Sequence, residues 1–358
     1  MNIFVKDKRG DLHEKMKRIR EIDVLRGYAT VLVVVGHIIQ YVIAAPNEFD
    51  NSIVFRFIYS FHMPLFFFIS GFCIYRSNKT YGWKWIIAKG KQLVIPFCVW
   101  IPIGWVIHKS WNTVSLLECI KRVIVSPDNG GLWFLWVLFL CDIGWTIIAW
   151  IIPKDYGLKV LVSTIFMMYL VVTKLLPSVS YFGIGLLKYR ILYYLLGIIA
   201  GYIYDNKDKY QKFKKIIDSK IVILLITVLF VLSAYYWDRV NGYKLQGIVC
   251  WINDRTPYGT KFLNLYFKNI VSVLGILASC YLSRILIMNA IVEKIFSYIG
   301  TFSLEIYILQ FYFLRNWIGV IGIDAVLSFL MCIGLSILIS RIIEKKRLLG
   351  SVLFGKLK

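Results

Sequence analysis

The chain has 358 residues, of which 59% are hydrophobic, 16% aromatic and only 17% charged, whereas a soluble domain carries about a quarter charged and under half apolar residues. That balance excludes an ordinary soluble enzyme and an intrinsically disordered chain. The formal charge of +22 needs no nucleic-acid partner, because the basic residues gather in the segments that flank long apolar runs.

Runs of about 20 apolar residues match the hydrocarbon thickness when wound as helix. They recur along the chain and predict ten spans, at 22–44, 53–75, 92–108, 132–152, 158–176, 180–204, 220–237, 264–287, 295–317 and 322–343. The fold class is therefore all-α, a polytopic integral membrane protein with about ten transmembrane helices. Alternate inter-span segments, counted from the N-terminus, hold 28 of the 42 basic residues, against 10 in the other set. This bias puts both termini in the cytoplasm. The organisation is a basic N-terminal segment (1–21), a ten-helix membrane domain (22–343) and a basic tail (344–358). No cleaved leader is expected, because the first span is longer than a signal h-region and follows a polar stretch.

Polar groups inside spans are functional candidates, since hydrocarbon disfavours them. The first span contains "RGYATVLVVVGH" (26–37). Arg26 and His37 are eleven residues apart, which at about 100° per residue is 20° beyond three turns, so they share a face about 16 Å apart along the axis. Gln40 continues that face. With the N-terminus inside, Arg26 lies near the cytoplasmic surface and His37 beyond the midplane. The second span contains "FHMPLFFFISGF" (61–72), with His62 at mid-depth. There Pro64 removes a backbone donor, and Ser70–Gly71 permits close helix approach. One intramembrane histidine is most often a packing residue. Two at matched depth on adjacent antiparallel spans are expected to face one polar cavity.

Cys119 and Cys250 fall in predicted outer loops, a placement compatible with a disulfide. The seven cysteines show no metal-binding spacing, and no metal is expected. Aromatic and amide residues in the outer loops suit either an interface belt or sugar faces. The sixth span carries Lys188 and Arg190. "KDKYQKFKKIIDSK" (207–220) reads as a solvated loop facing lipid headgroups. The ninth span carries Glu305 and Gln310 with Tyr307 between them. Glu305 is either a cavity group or the partner of a buried cation such as Arg190.

An arginine near the inner face can hold phosphates bidentately, and a histidine farther along can deprotonate a hydroxyl. Acyl-CoA fits such a geometry, although spacing alone names no donor. A proton-coupled transporter or exporter of a glycan or small solute would use the same groups, and a catalytically inactive structural subunit would tolerate their loss.

"EIDVLRGYATVLVVVGHIIQ" (21–40) followed by "FHMPLFFFISGFCIYRS" (61–77) resembles the opening of the membrane acyltransferase-3 family, in its fucose acetylase-like and exopolysaccharide acetylase branch. Weaker echoes are "GKQLVIPF" (90–97), "GLWFLWVLF" (131–139), "YYLLGIIAGY" (193–202) and "GTFSLEIYILQ" (300–310). The resemblance implies an O-acetyltransferase in which Arg26 engages acetyl-CoA, His37 is catalytic, and His62 lines the same cavity. Arg190 matches a sixth-span arginine. Gln310 stands where relatives often carry histidine, which implies positioning rather than proton transfer. Implied partners are membrane lipids, a cell-envelope glycan, polysaccharide or lipid-linked sugar acceptor, and polysaccharide-assembly proteins. The implied location is a bacterial plasma membrane.

Overall fold

The computed structural model describes residues 19–45, 48–76, 83–108, 112–127, 131–151, 181–239, 242–243 and 257–356. Helix α1 (Arg20–Ile38) opens with Glu21 and Asp23 in its first turn, where carboxylates favour the positive end of the helix dipole. It runs on through a π turn, Ile39–Ile43. Helix α2 (Ile53–Arg76) is continuous across Pro64. Proline cannot donate to the carbonyl four residues back, here that of Ser60. That carbonyl instead accepts the Ser272 hydroxyl at 2.6 Å, so a neighbouring helix replaces the missing bond.

Helix α3 (Trp83–Lys89) passes through a second π turn, Gly90–Val94, into α4 (Ile95–Ile107). The third span thus begins at 83, earlier than its apolar run suggests. In the expected outer loop, α5 (Leu116–Val125) is an amphipathic helix whose Ser115 cap accepts from the Glu118 amide at 3.3 Å. The hydrogen bond from Arg122 holds the Glu118 carboxyl below its usual range. Helices α6 (Trp133–Ile151) and α7 (Ile184–Asp205) follow. The predicted span 158–176 and most of the loop 238–263 lie outside the described residues. Cys250 does too, whereas Cys119 carries a free thiol.

The stretch expected as a solvated loop at 207–220 is instead largely helical. Helix α8 (Lys207–Ile217) is capped by Asn206, which accepts from the Lys209 amide at 3.1 Å, and Lys214 and Lys215 face the negative end of its dipole. It meets α9 (Lys220–Tyr236) at a 66° bend. Ile221, Leu224 and Leu232 of α9 are exposed, as a lipid-facing helix requires. A short hairpin, β1 (Trp237–Asp238) with β2 (Gly242–Tyr243), follows. Arg239 beside it binds Asp50 through three contacts of 3.0–3.3 Å. Those hydrogen bonds hold its guanidinium above its ordinary value.

After α10 (Pro257–Leu286) the expected ninth span is not one helix. Helix α11 (Ala290–Thr301) breaks at Phe302 (φ −108°, ψ 17°), and α12 (Ser303–Leu309) ends in a 3-10 turn, Gln310–Tyr312. Helix α13 (Ile321–Leu330), a third π turn (Met331–Leu335) and α14 (Ser336–Glu344) make the last long span. Helix α15 (Arg347–Phe354) folds back onto α4 and α14. Among the described residues, six helices are long and apolar enough to cross a membrane, seven if the bent α8–α9 pair is one span, and Trp133–Ala149 is a shorter apolar helix.

Glycines set the closest crossings. A methyl group on Gly71 of α2 would lie 1.8 Å from the Tyr194 carbonyl oxygen, and one on Gly197 of α7 would lie 2.0 Å from that of Phe68. The close approach anticipated at Ser70–Gly71 is thus a reciprocal glycine contact between α2 and α7. Gly27 of α1 and Gly300 of α11 form a second such pair, at 1.9 Å from the Phe296 oxygen and 2.5 Å from the Asp23 oxygen.

Candidate active site

A cavity of about 710 Å³ lies between α1, α2, α3, α6, the broken α11–α12 pair and the end of α15. The helical phase of α1 directs Arg26, Thr30, Val33 and Val34 into it. Arg26 reaches Cys73 on α2, its Nη2 standing 3.3 Å from the sulfur. It forms no ion pair with a carboxylate among the described residues. The Arg26 carbonyl accepts the Thr30 hydroxyl at 2.9 Å.

His37, the next residue on this stripe, lies just beyond the cavity's end. The Gln310 side chain, which lines the cavity, lies against its imidazole. The Phe311 ring is 4.9 Å from it and the Tyr41 ring 5.9 Å. Two buried polar atoms here have no hydrogen-bond partner, Nδ1 of His37 and Oε1 of Gln310. Nε2 of Gln310 donates to the Tyr307 carbonyl at 3.1 Å, and the Gln310 carbonyl lies 3.6 Å from the Cys332 sulfur. Cys332 belongs to the third π turn. The first π turn begins two residues after His37, and the second supplies Gln92 and Leu93 to the cavity wall. Such turns often mark functional sites, because they re-aim side chains within a continuing helix.

His62 is buried, and although its neighbour Met63 lines the cavity, His62, like His37, is not part of the cavity wall. Nδ1 of His62 is 2.8 Å from the Ile58 carbonyl. A carbonyl has no proton, so Nδ1 carries one, and in the neutral ring Nε2 keeps its lone pair. The Tyr59 ring, 4.6 Å from His62, sends its hydroxyl to Oε1 of Gln40 at 2.7 Å. This bond ties α2, beside the second-span histidine, to the turn that continues α1. Arg190 stands apart from the cavity wall, its guanidinium 5.6 Å above the Trp133 ring. Lys188 lies 5.9 Å from the Tyr189 ring.

The pairing of Glu305 with Arg190 is not what the structure shows. Glu305 lines the cavity, only 1% exposed, and its partner is Lys356 from beyond the last span. Asp142 of α6, which sequence reasoning passed over, also lines the cavity, accepts from Tyr194 at 2.6 Å and pairs with Lys89 at 3.4 Å. Its signal was a carboxylate within an apolar run. Tyr307, between Glu305 and Gln310, donates to the Gly131 carbonyl at 2.7 Å and closes the wall against α6. Among the described residues no group of three or more His, Cys, Asp or Glu could hold a metal ion.

Relatives at the level of sequence are two nodulation proteins called NolL. The one from Mesorhizobium japonicum is 33% identical over 129 residues, covering 33% of this chain and 32% of its own length. The one from Sinorhizobium fredii is 32% identical over 124 residues, covering 32% of each. The matched stretch thus spans about a third of either relative. No solved structure matches. A family model described as an acyltransferase domain matches residues 19–345, which takes in every helix from α1 to α14 and the whole of the cavity except its α15 edge. With its apolar helices and its Arg26–His37 stripe, the chain belongs to the membrane acyltransferase-3 family.

Proposed function

We propose that the protein is an integral-membrane O-acyltransferase that moves an acetyl group from cytoplasmic acetyl-CoA to a hydroxyl of a cell-envelope glycan, polysaccharide or lipid-linked sugar. The observation that carries this reading is the α1 stripe. It runs from Arg26, a cavity-wall cation that pairs with no carboxylate among the described residues, to His37, whose buried Nδ1 lacks a partner at the cavity's end. The separation of about 16 Å at 1.5 Å per residue suits phosphates held at one end and a thioester presented at the other. A volume of about 710 Å³ is of the size that takes a ligand such as a CoA arm.

In this reading Arg26, always charged, holds donor phosphates. His37 takes the proton from the acceptor hydroxyl as its oxygen attacks the thioester carbon. The C–O bond forms, the C–S bond breaks, and the proton passes to the leaving CoA thiolate. His62, with Nδ1 tied to Ile58, offers Nε2 to orient the hydroxyl, and the Gln40–Tyr59 bond holds the two helices in register. Gln310 presents its amide to His37 and cannot itself carry protons. The acceptor would enter from the side of His62 and Arg190.

The test uses inverted membrane vesicles given acetyl-labelled CoA, comparing the wild type with His37→Ala. Alkali-labile label in glycan or lipid fractions should fall by at least ~100-fold in the variant, the scale of a lost general base. Equal label in both would remove His37 from the chemistry. Label in neither, with CoA and envelope acceptors present, would refute the donor or acceptor assignment.

A further inference from the structure

The segment 347–356 forms part of the cavity wall. Helix α15 docks through Trp100, whose indole N–H donates to the Leu353 carbonyl at 2.8 Å, and through Phe354, 1% exposed beside the Trp100 ring. Gly355 has φ +62°, and a methyl group there would lie 2.1 Å from the Gln92 carbonyl oxygen, so only glycine lets the chain pass the second π turn. Beyond it the Lys356 ammonium enters the cavity and contacts the carboxylates of both Glu305 and Glu344. Glu344 is held in turn by the Ser340 hydroxyl at 2.8 Å.

The charges on this wall are specific. Arg26, Lys89 and Lys356 face Asp142 and Glu305 across the cavity, with Glu344 behind Lys356. Lys89 is committed to Asp142. Take Lys356 away, and the buried Glu305 carboxylate loses the cation that pairs with it on the wall that also carries Arg26. A carboxylate without its cation there would repel a phosphate-bearing ligand, and low dielectric would sharpen the effect.

We propose that Lys356 is a positioning residue of the donor site. By neutralising Glu305 it keeps the cavity attractive to a polyanionic acyl carrier, and so sets donor affinity without touching the reacting atoms. This rests on the acyl-CoA reading above. It assigns the folded-back segment to the site itself, as a wall and not a loose tail.

Cys73 reports on the field in the cavity without any donor. In purified full-length protein, its modification is timed with an anionic sulfonatoethyl and a neutral methyl methanethiosulfonate, read on the Cys73 peptide by mass spectrometry. The ratio of the two rates cancels the thiolate fraction and isolates the local potential. Lys356→Met should lower the anionic-to-neutral ratio at least ~3-fold, the scale of one charge lost from the same cavity wall in a partly hydrated medium. Lys356→Arg should preserve the ratio. The doubly neutral Glu305→Gln/Lys356→Met variant should regain most of it, which separates lost charge from lost folding. In parallel, CoA binding measured by calorimetry should weaken at least ~3-fold in Lys356→Met and hold in Lys356→Arg. An unchanged rate ratio in Lys356→Met, or a loss shared equally by the arginine variant, overturns the proposal. A ratio that falls as expected while the wild type binds no CoA keeps Lys356 as the group that sets the cavity's charge and overturns the acyl-CoA reading instead.

Discussion

Replacing Gly71 with alanine tests whether the α2–α7 crossing holds the site together. The added methyl would sit 1.8 Å from the Tyr194 carbonyl oxygen and 2.8 Å from its carbon. The obstacle is backbone, which cannot rotate aside as a side chain would. Side-chain carbons do not approach other heavy atoms within 3.0 Å, so the helices must part by more than 1 Å. Overpacking of a fitted core costs typically 1–3 kcal/mol, and a rigid obstacle puts Gly71→Ala near the top of that range, about 3 kcal/mol. The better helix propensity of alanine returns at most ~1 kcal/mol. In detergent the net loss should lower the apparent melting midpoint by on the order of 5 °C. Gly144→Ala in α6, where nothing lies within 4 Å, is the matched control and should leave the midpoint unchanged or slightly higher. Because one separation would relieve both contacts, Gly71→Ala/Gly197→Ala should cost clearly less than the two single changes together. A Gly71→Ala midpoint equal to the wild type, or strictly additive losses, would refute the argument that these glycines set the helix distance.

Two further outcomes follow from hydrogen bonds made by buried side chains. Asp324, 1% exposed, accepts the amides of Trp317 and Ile318 at 3.0 and 2.8 Å and that of Gly319 at 2.9 Å. Asp324→Ala should therefore destabilise by about 1–3 kcal/mol, the scale of hydrogen bonds to a charged group, and Asp324→Asn should recover part of it in the same melting assay. Ser272→Ala should cost about 1 kcal/mol by uncovering the Ser60 carbonyl that Pro64 leaves free. In a Pro64→Ala background the new backbone N–H takes that carbonyl, so the serine change should become nearly silent. Equal penalties in both backgrounds would disprove the compensation.

The long apolar runs were legible in the sequence because helix rise and hydrocarbon thickness are local constraints. The seam at Gly71 was visible for the same reason, since a missing side chain needs no partner to be noticed. The phase of Arg26 and His37 follows from 100° per residue alone, whereas Gln40 falls in the π turn that continues the helix. The ninth span misled because its apolar content is continuous, while its backbone breaks at Phe302 and turns at Gln310. Composition is blind to dihedral angles.

What the amino-acid order determined unaided was the membrane architecture in outline, the α1 stripe with its second histidine on α2, and the family to which these belong. Those features depend on residues near one another in the chain. Only the tertiary structure decided that Glu305 pairs with Lys356, that Asp142 takes Lys89 and Tyr194, and that the His37 ring lies past the cavity's end against Gln310. Each of those joins residues from separate helices. Which charge meets which is settled by how the helices cross, and the crossings are set by reciprocal glycine contacts that only the packed bundle reveals.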